Sequence, residues 1–283
     1  MFGRRSDGKK IKTIDPIFKV IPCVMKTRND SQVYFKQDIV LTPIEDYINR
    51  KAEEGIKISM MDVFYAAIIR VIALRPHLNR FIINGQIYKR NDIMASLAIK
   101  KEMTDEGVET NIKNKFNGTE NIFEVKKILE DSIELNKKME TENNTDSFVK
   151  ILHHMPTWLV KGIVNFLWFL DNHGCMPKSV IDLSPFHTSF YLTNVGSLGI
   201  DSIYHHIYNF GTTSLFFSMG KKKKSYLYED DEIKKEKCIT LAFVGDERIC
   251  DGFYYASSFK MLTKILKKPD ILEENVERVA DID

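Results

Sequence analysis

The chain has 283 residues, 43% hydrophobic and 28% charged, enough for one large globular domain with an ample core. A net charge of +2 argues against a general nucleic-acid binder. Four scattered cysteines (Cys23, Cys175, Cys238, Cys250) lack the spacing of a metal site and read as reduced thiols of a cytoplasmic protein, with no metal expected.

In chain order, residues 1–18 read as an extended polar arm, basic at its start but with no apolar stretch behind it, a pattern that does not read as a secretory signal. A single domain is expected over 19–272 and a polar tail over 273–283. Gln32 to Val40 has strand character. Thr42-Pro43 opens a helix, with Thr42 as cap and Pro43 in the first turn, that runs to about Glu54 and stops at Gly55. Ser59-Met60-Met61-Asp62 resembles a capping box for a more apolar helix ending at Leu74, before Pro76. Asn84-Gly85 between apolar runs marks a hairpin. A strand follows over Met94 to Lys101, then a helix over Glu120 to Lys138, and a polar break over 140–146.

The segment Trp158 to Leu170 is the most apolar. It is too short to span a bilayer and contains Lys161 and Asn165, so it reads as a buried or groove-lining helix, with an interfacial membrane helix as the alternative. Strand-like runs follow around 189–194, 214–219, 226–228 and 237–244. Lys221 to Lys224 opposite Glu229 to Glu232 reads as a solvated turn. A last amphipathic helix spans Tyr254 to Leu266.

The most informative stretch is Gly245-Asp246-Glu247-Arg248-Ile249-Cys250-Asp251-Gly252-Phe253, a polar cluster between a strand-like and a helix-like run, where side chains are presented on a rigid scaffold. It resembles the signature of the coenzyme A-dependent acyltransferase superfamily. That superfamily includes the dihydrolipoyl acyltransferases of 2-oxoacid dehydrogenase complexes, with Asp-His-Arg-x-x-Asp-Gly, and chloramphenicol acetyltransferase, with His-His-x-x-x-Asp-Gly. Leu192-Thr193-Asn194-Val195-Gly196-Ser197-Leu198-Gly199 is similar to a second family segment, and Arg75-Pro76-His77-Leu78-Asn79 to a third. The likeness covers about residues 30–272. The segments before and after it do not resemble a lipoyl or subunit-binding module, so a plan like that of the stand-alone chloramphenicol enzyme is expected.

The resemblance implies an α/β fold of the chloramphenicol acetyltransferase type: a two-layer sandwich with a mixed sheet and packed helices. It also implies coenzyme A as acyl donor or substrate, a small-molecule acceptor, and a homotrimer with the active site between subunits. The family's catalytic histidine is Glu247 here. In the family this residue removes a proton from the attacking thiol or hydroxyl. A carboxylate near 4.3 is a weaker base toward a thiol near 8.5 than an imidazole near 6.5, roughly 6 against 3 kcal/mol uphill. Burial could raise Glu247 and recover most of that difference. Glu247 is thus either a working base or a carboxylate that anchors substrate after the ancestral chemistry was lost.

Thr193 corresponds to the hydroxyl that stabilises the tetrahedral oxyanion, worth roughly 3 kcal/mol; read by itself it is an ordinary β-branched strand residue. Asp251 corresponds to an aspartate that pairs with an arginine, for which Arg28 is the first candidate and Lys26 the second. It also sits where a helix N-cap belongs. Asn194 and Arg248 would support the site, and Gly252 would permit a tight turn or a close approach. His153, His154, His187, His205 and His206 read as packing or surface histidines. Two functions remain open: an acyltransferase, or an impaired relative that binds an acyl-coenzyme A or another metabolite, or acts as a scaffold, without turnover. Chloramphenicol modification itself is weakened by the missing histidine.

Overall fold

The computed structural model describes residues 4–100, 109–138, 154–229 and 231–281. The strands are β1 (Gly8–Lys10), β2 (Gln32–Val40), β3 (Arg80–Ile83), β4 (Gln86–Arg90), β5 (Ile93–Lys100), β6 (Glu109–Phe116), β7 (Phe190–Asn194), β8 (Leu215–Glu229) and β9 (Glu232–Asp246). The helices are α1 (Pro16–Val24), α2 (Thr42–Glu53), α3 (Met60–Leu74), α4 (Ile122–Lys138), α5 (Thr157–His173), α6 (Lys178–Leu183) and α7 (Gly252–Lys267).

A six-stranded mixed sheet runs β2-β9-β8-β7-β5-β6. The pairs β5–β7 and β7–β8 are parallel and the others antiparallel. A smaller sheet, β1-β4-β3, is built on the hairpin whose two-residue turn is Asn84-Gly85, both at positive φ. Inward side chains of the large sheet, among them Leu192, Phe217, Leu241 and Phe243, share one core with α2, α3, α4 and α7. The opposite face carries Tyr191, Phe216 and Val244, covered by Ile207 from the segment after β7. This is the α/β two-layer architecture that the sequence implied.

Helix α3 is the central support. Ser59 and Asp62 form a reciprocal capping box: the Asp62 carboxylate accepts from the Ser59 amide at 2.8 Å, and the Ser59 hydroxyl accepts from the Asp62 amide at 3.2 Å. Every residue from Asp62 to Ala73 is buried. A helix that is apolar on nearly all sides belongs inside a core rather than on its surface.

Five expectations change. The amino-terminal arm is not simply extended: β1 pairs with β4 and α1 begins at Pro16, because Asp15 accepts from the Ile17 amide and caps the helix. The segment after 273 is packed: Asp281 takes a two-pronged bond from Arg80, and the Val279 amide donates to Ala73 O. Thr42 is not the cap of α2, since Leu41 occupies that place and Thr42 is already helical, with Pro43 in the first turn. Lys221 to Lys224 lie within strand β8, not in a turn; Lys222 bonds Glu45 and Lys223 bonds Asp38, so neighbouring elements neutralise them. Helix α5 is not buried: of its residues only Asp171 is fully enclosed, although Trp168 lines a cavity. The polar break at 140–146 lies outside the described residues. Among the described residues no helix is long and apolar enough to cross a membrane.

Candidate active site

The junction of β9 and α7 is fixed from both sides. Asp246 closes β9 opposite Gln32 of β2, and the next amide, Glu247 N, donates to Ser31 O at 2.8 Å. The Tyr255 hydroxyl donates to Asp246 O at 2.8 Å from inside α7. Asp251 caps α7 by accepting from the Tyr254 amide at 2.7 Å, and its side chain is exposed. Held in this turn, Glu247 points outward. It lines a cavity of about 560 Å³ with Val33, Phe35 and Gln37 of β2 and Gly252, Tyr255 and Phe259 of α7.

The arginine partnership differs from the expected one. Arg28 is buried against Asp246, at 3.5 Å from its carboxylate, rather than against Asp251. Its guanidinium also donates to Tyr208 O, Asn209 O and Ile82 O. Asp246 further takes a two-pronged bond from Arg248, at 2.8 and 2.7 Å, and a bond from the Ser31 hydroxyl. Burial pulls Arg28 down to about 10; Asp246 resists this and Arg248 adds to it. The physical reason is burial. Asp246 is fully enclosed and needs cationic partners, whereas solvent and a helix end already satisfy Asp251. Gly252 is also not a point of close approach within one chain, since a Cβ there would meet open space.

Thr193 lies near the end of β7, in register with Ser218 of β8. With Asn194 it lines a different cavity, of about 750 Å³. Its walls are largely apolar (Ile58, Met61, Leu97, Leu129, Ile133, Leu198), with Lys57, Lys126, Asp62 and Glu130 also present and Lys126 paired with Glu130. The backbone after Thr193 turns tightly. Gly196 packs on the Gly220 carbonyl so closely that a Cβ would come within 2.3 Å, and Gly199 adopts φ +79°. Thr193 and Glu247 therefore line separate cavities of one chain.

Sequence reasoning did not find a buried charge cluster that ties the amino-terminal segment to α5. Arg5 bonds Asp7 and Asp171, and His187 lies 3.2 Å from Asp171; Arg5, Asp171 and His187 are enclosed and Asp7 is half-buried. Burial lowers His187 below the ordinary histidine range, against the pull of Asp171. The partners are up to 166 residues apart, so no local spacing signals them. His205 and His206 stack on each other, and His205 on Phe216, on the sheet face away from α7. Among the described residues no three-ligand group is arranged to hold a metal ion.

Residues 186–273, which contain both Thr193 and Glu247, match the family described as 2-oxoacid dehydrogenases acyltransferase (catalytic domain). No curated protein matches. Among solved structures, a probable dihydrolipoamide acetyltransferase from Listeria monocytogenes superposes with a TM-score of 0.56 at 17% identity, covering 92% of this chain and 95% of that one. A truncated catalytic core of the 2-oxoacid dehydrogenase multienzyme complex from Thermoplasma acidophilum gives 0.57 at 12%, covering 93% and 100%. A chloramphenicol acetyltransferase gives 0.53 at 10%, covering 92% and 99%.

Proposed function

We propose that this chain, an acyltransferase-like catalytic domain of the 2-oxoacid dehydrogenase type in sequence and fold, moves an acyl group between coenzyme A and a thiol, hydroxyl or amine acceptor. The reaction takes place in a site completed by a second copy within a cytoplasmic homotrimer. The observation that carries the reading is the separation of the two reactive side chains: each lines its own cavity, both in the matched segment. A cavity ending at Thr193 on one copy and a cavity ending at Glu247 on the next form one channel when the copies meet. The four cysteines, all unpaired, are in keeping with a reducing compartment.

In that channel the Glu247 carboxylate accepts the acceptor's proton as its sulfur, oxygen or nitrogen attacks the thioester carbonyl. The neighbour's Thr193 hydroxyl donates to the oxygen that becomes negative. Collapse of the tetrahedral intermediate breaks the carbon–sulfur bond, and the proton held by Glu247 passes to the departing coenzyme A thiolate. Glu247 is exposed in a single chain, so the exclusion of water that strengthens a carboxylate base has to come from the apposed copy.

The test is thiol release from acetyl-coenzyme A with a panel of acceptors, corrected for the protein's own cysteines. Wild type turns over, Glu247→Gln loses turnover, and Thr193→Val lowers kcat rather than KM. Tight binding of acetyl-coenzyme A without turnover, with activity appearing only in Glu247→His, would instead make the chain a metabolite-binding relative. A fully active monomer in light scattering would remove the shared channel.

A further inference from the structure

Two helices leave apolar side chains in water. On α5 the outward stripe contains Trp158 (73% exposed), Phe166 (60%) and Phe169 (54%), spaced by one and two helical turns and broken by Gly162 and Asn165. On α1, Ile17, Val20 and Val24 are exposed, the last to 74%. The two helices flank one cavity of about 410 Å³: Pro22 and Cys23 of α1 form part of its wall, and Trp168 and Asn172 of α5 another. Three cations, Lys26, Arg28 and Arg248, also line this cavity, and its lining contains no acid. Asp246 is a single carboxylate shared by the two arginines.

Charge is distributed to match. Residues 1–28 contain eight basic and two acidic side chains, a net of +6, whereas the whole chain carries +2. Lys19, Lys26 and Lys161 are exposed and form no ion pair among the described residues. Aromatic side chains beside lysines, on a helix too short to span, form the pattern of a helix that lies in the interface of a bilayer.

We propose that the α1–α5 face docks on an anionic lipid surface, with the apolar stripes entering the acyl boundary and the cationic cavity between them receiving a lipid phosphate headgroup. In a two-fold contact a second copy is the less suitable occupant, because the exposed Lys19, Lys26 and Lys161 of the two faces would meet one another; a head-to-tail contact between copies is left as an outcome of the test. The inference does not rest on acyl transfer, and binding can be measured whether or not turnover exists.

Both tryptophans of the chain lie on α5, so its environment can be read directly. The full chain is mixed with vesicles of phosphatidylglycerol and phosphatidylcholine, or of phosphatidylcholine alone, and followed by co-sedimentation and tryptophan emission. Anionic vesicles should bind it and shift the emission to the blue, brominated lipids should quench it, and neutral vesicles should do neither. Lys19→Gln with Lys26→Gln should lower affinity roughly 25-fold, about fivefold for each charge. Phe166→Ser with Phe169→Ser should lower it about tenfold or more. All four positions are exposed, and unchanged thermal melts establish that these variants fold. The proposal is overturned if anionic vesicles fail to bind at low salt, or if the substituted chains bind as well as wild type. It also falls if inorganic phosphate alone shifts the emission as fully as vesicles, or if the shift follows protein concentration instead of lipid, which would identify a free-anion site or a copy-to-copy interface.

Discussion

Replacing Asp246 by Asn tests whether the buried charge cluster holds the candidate active-site turn. The Asp246 side chain is fully enclosed and receives Arg248 through two bonds, Arg28 at 3.5 Å and the Ser31 hydroxyl. The amide keeps the size but removes the carboxylate that two buried guanidiniums share. Leaving a buried charge without its partner costs about 3–5 kcal/mol. That is a large share of the roughly 5–15 kcal/mol that holds a domain folded. At about 2–4 °C per kcal/mol for a chain of this size, the melting temperature should fall by roughly 10 °C. Asp251→Ala, five residues on, removes an exposed helix cap and should cost about 1 kcal/mol. Chemical denaturation of the two variants in parallel makes the comparison. A loss below about 1 kcal/mol for Asp246→Asn, or a larger loss for Asp251→Ala, would refute the placement of the arginines on Asp246.

Gly196→Ala forces a Cβ to within 2.3 Å of the Gly220 carbonyl, a backbone atom that cannot swing away. It should destabilise by about 1–3 kcal/mol and weaken acetyl-coenzyme A binding at the Thr193 cavity, measured by calorimetry. For pH, His187 is held below the ordinary histidine value, chiefly by burial, so the unfolded chain takes up protons first as pH falls through about 6.5. Stability should therefore drop on that acid side, and less steeply in His187→Phe, as denaturant midpoints will show. Lys113 acts in a higher window. Burial brings it from 10.5 to about 7, so its contribution to stability should rise as pH climbs from about 7 toward 10.5, and the advantage of Lys113→Met should shrink over the same range.

Local rules read much of this fold correctly, where the cause is itself local. The Ser59–Asp62 capping box, the Asn84-Gly85 hairpin and the strand-to-helix junction around Glu247 each depend on a few neighbouring residues. Strand β6 escaped notice because its inward side includes Asn114, buried and bonded to Ser132, which breaks the apolar alternation. Helix α1 was masked by Pro16 and Pro22, although a first-turn proline and one near the end of a short helix are both accommodated. The lysine run looked like a turn because its neutralising acids, Glu45 and Asp38, lie far away in sequence. The partner of Arg28 could not be read at all, since choosing between Asp246 and Asp251 depends on which is enclosed, and enclosure is a tertiary property.

The bond from Arg5 to Asp171 joins the chain's opening to its middle. Clipping off that opening by a protease would leave the enclosed Asp171 with His187 alone and loosen α5 from the first strand. A fragment beginning after residue 5 should therefore be expected to misbehave at a place far from the cut.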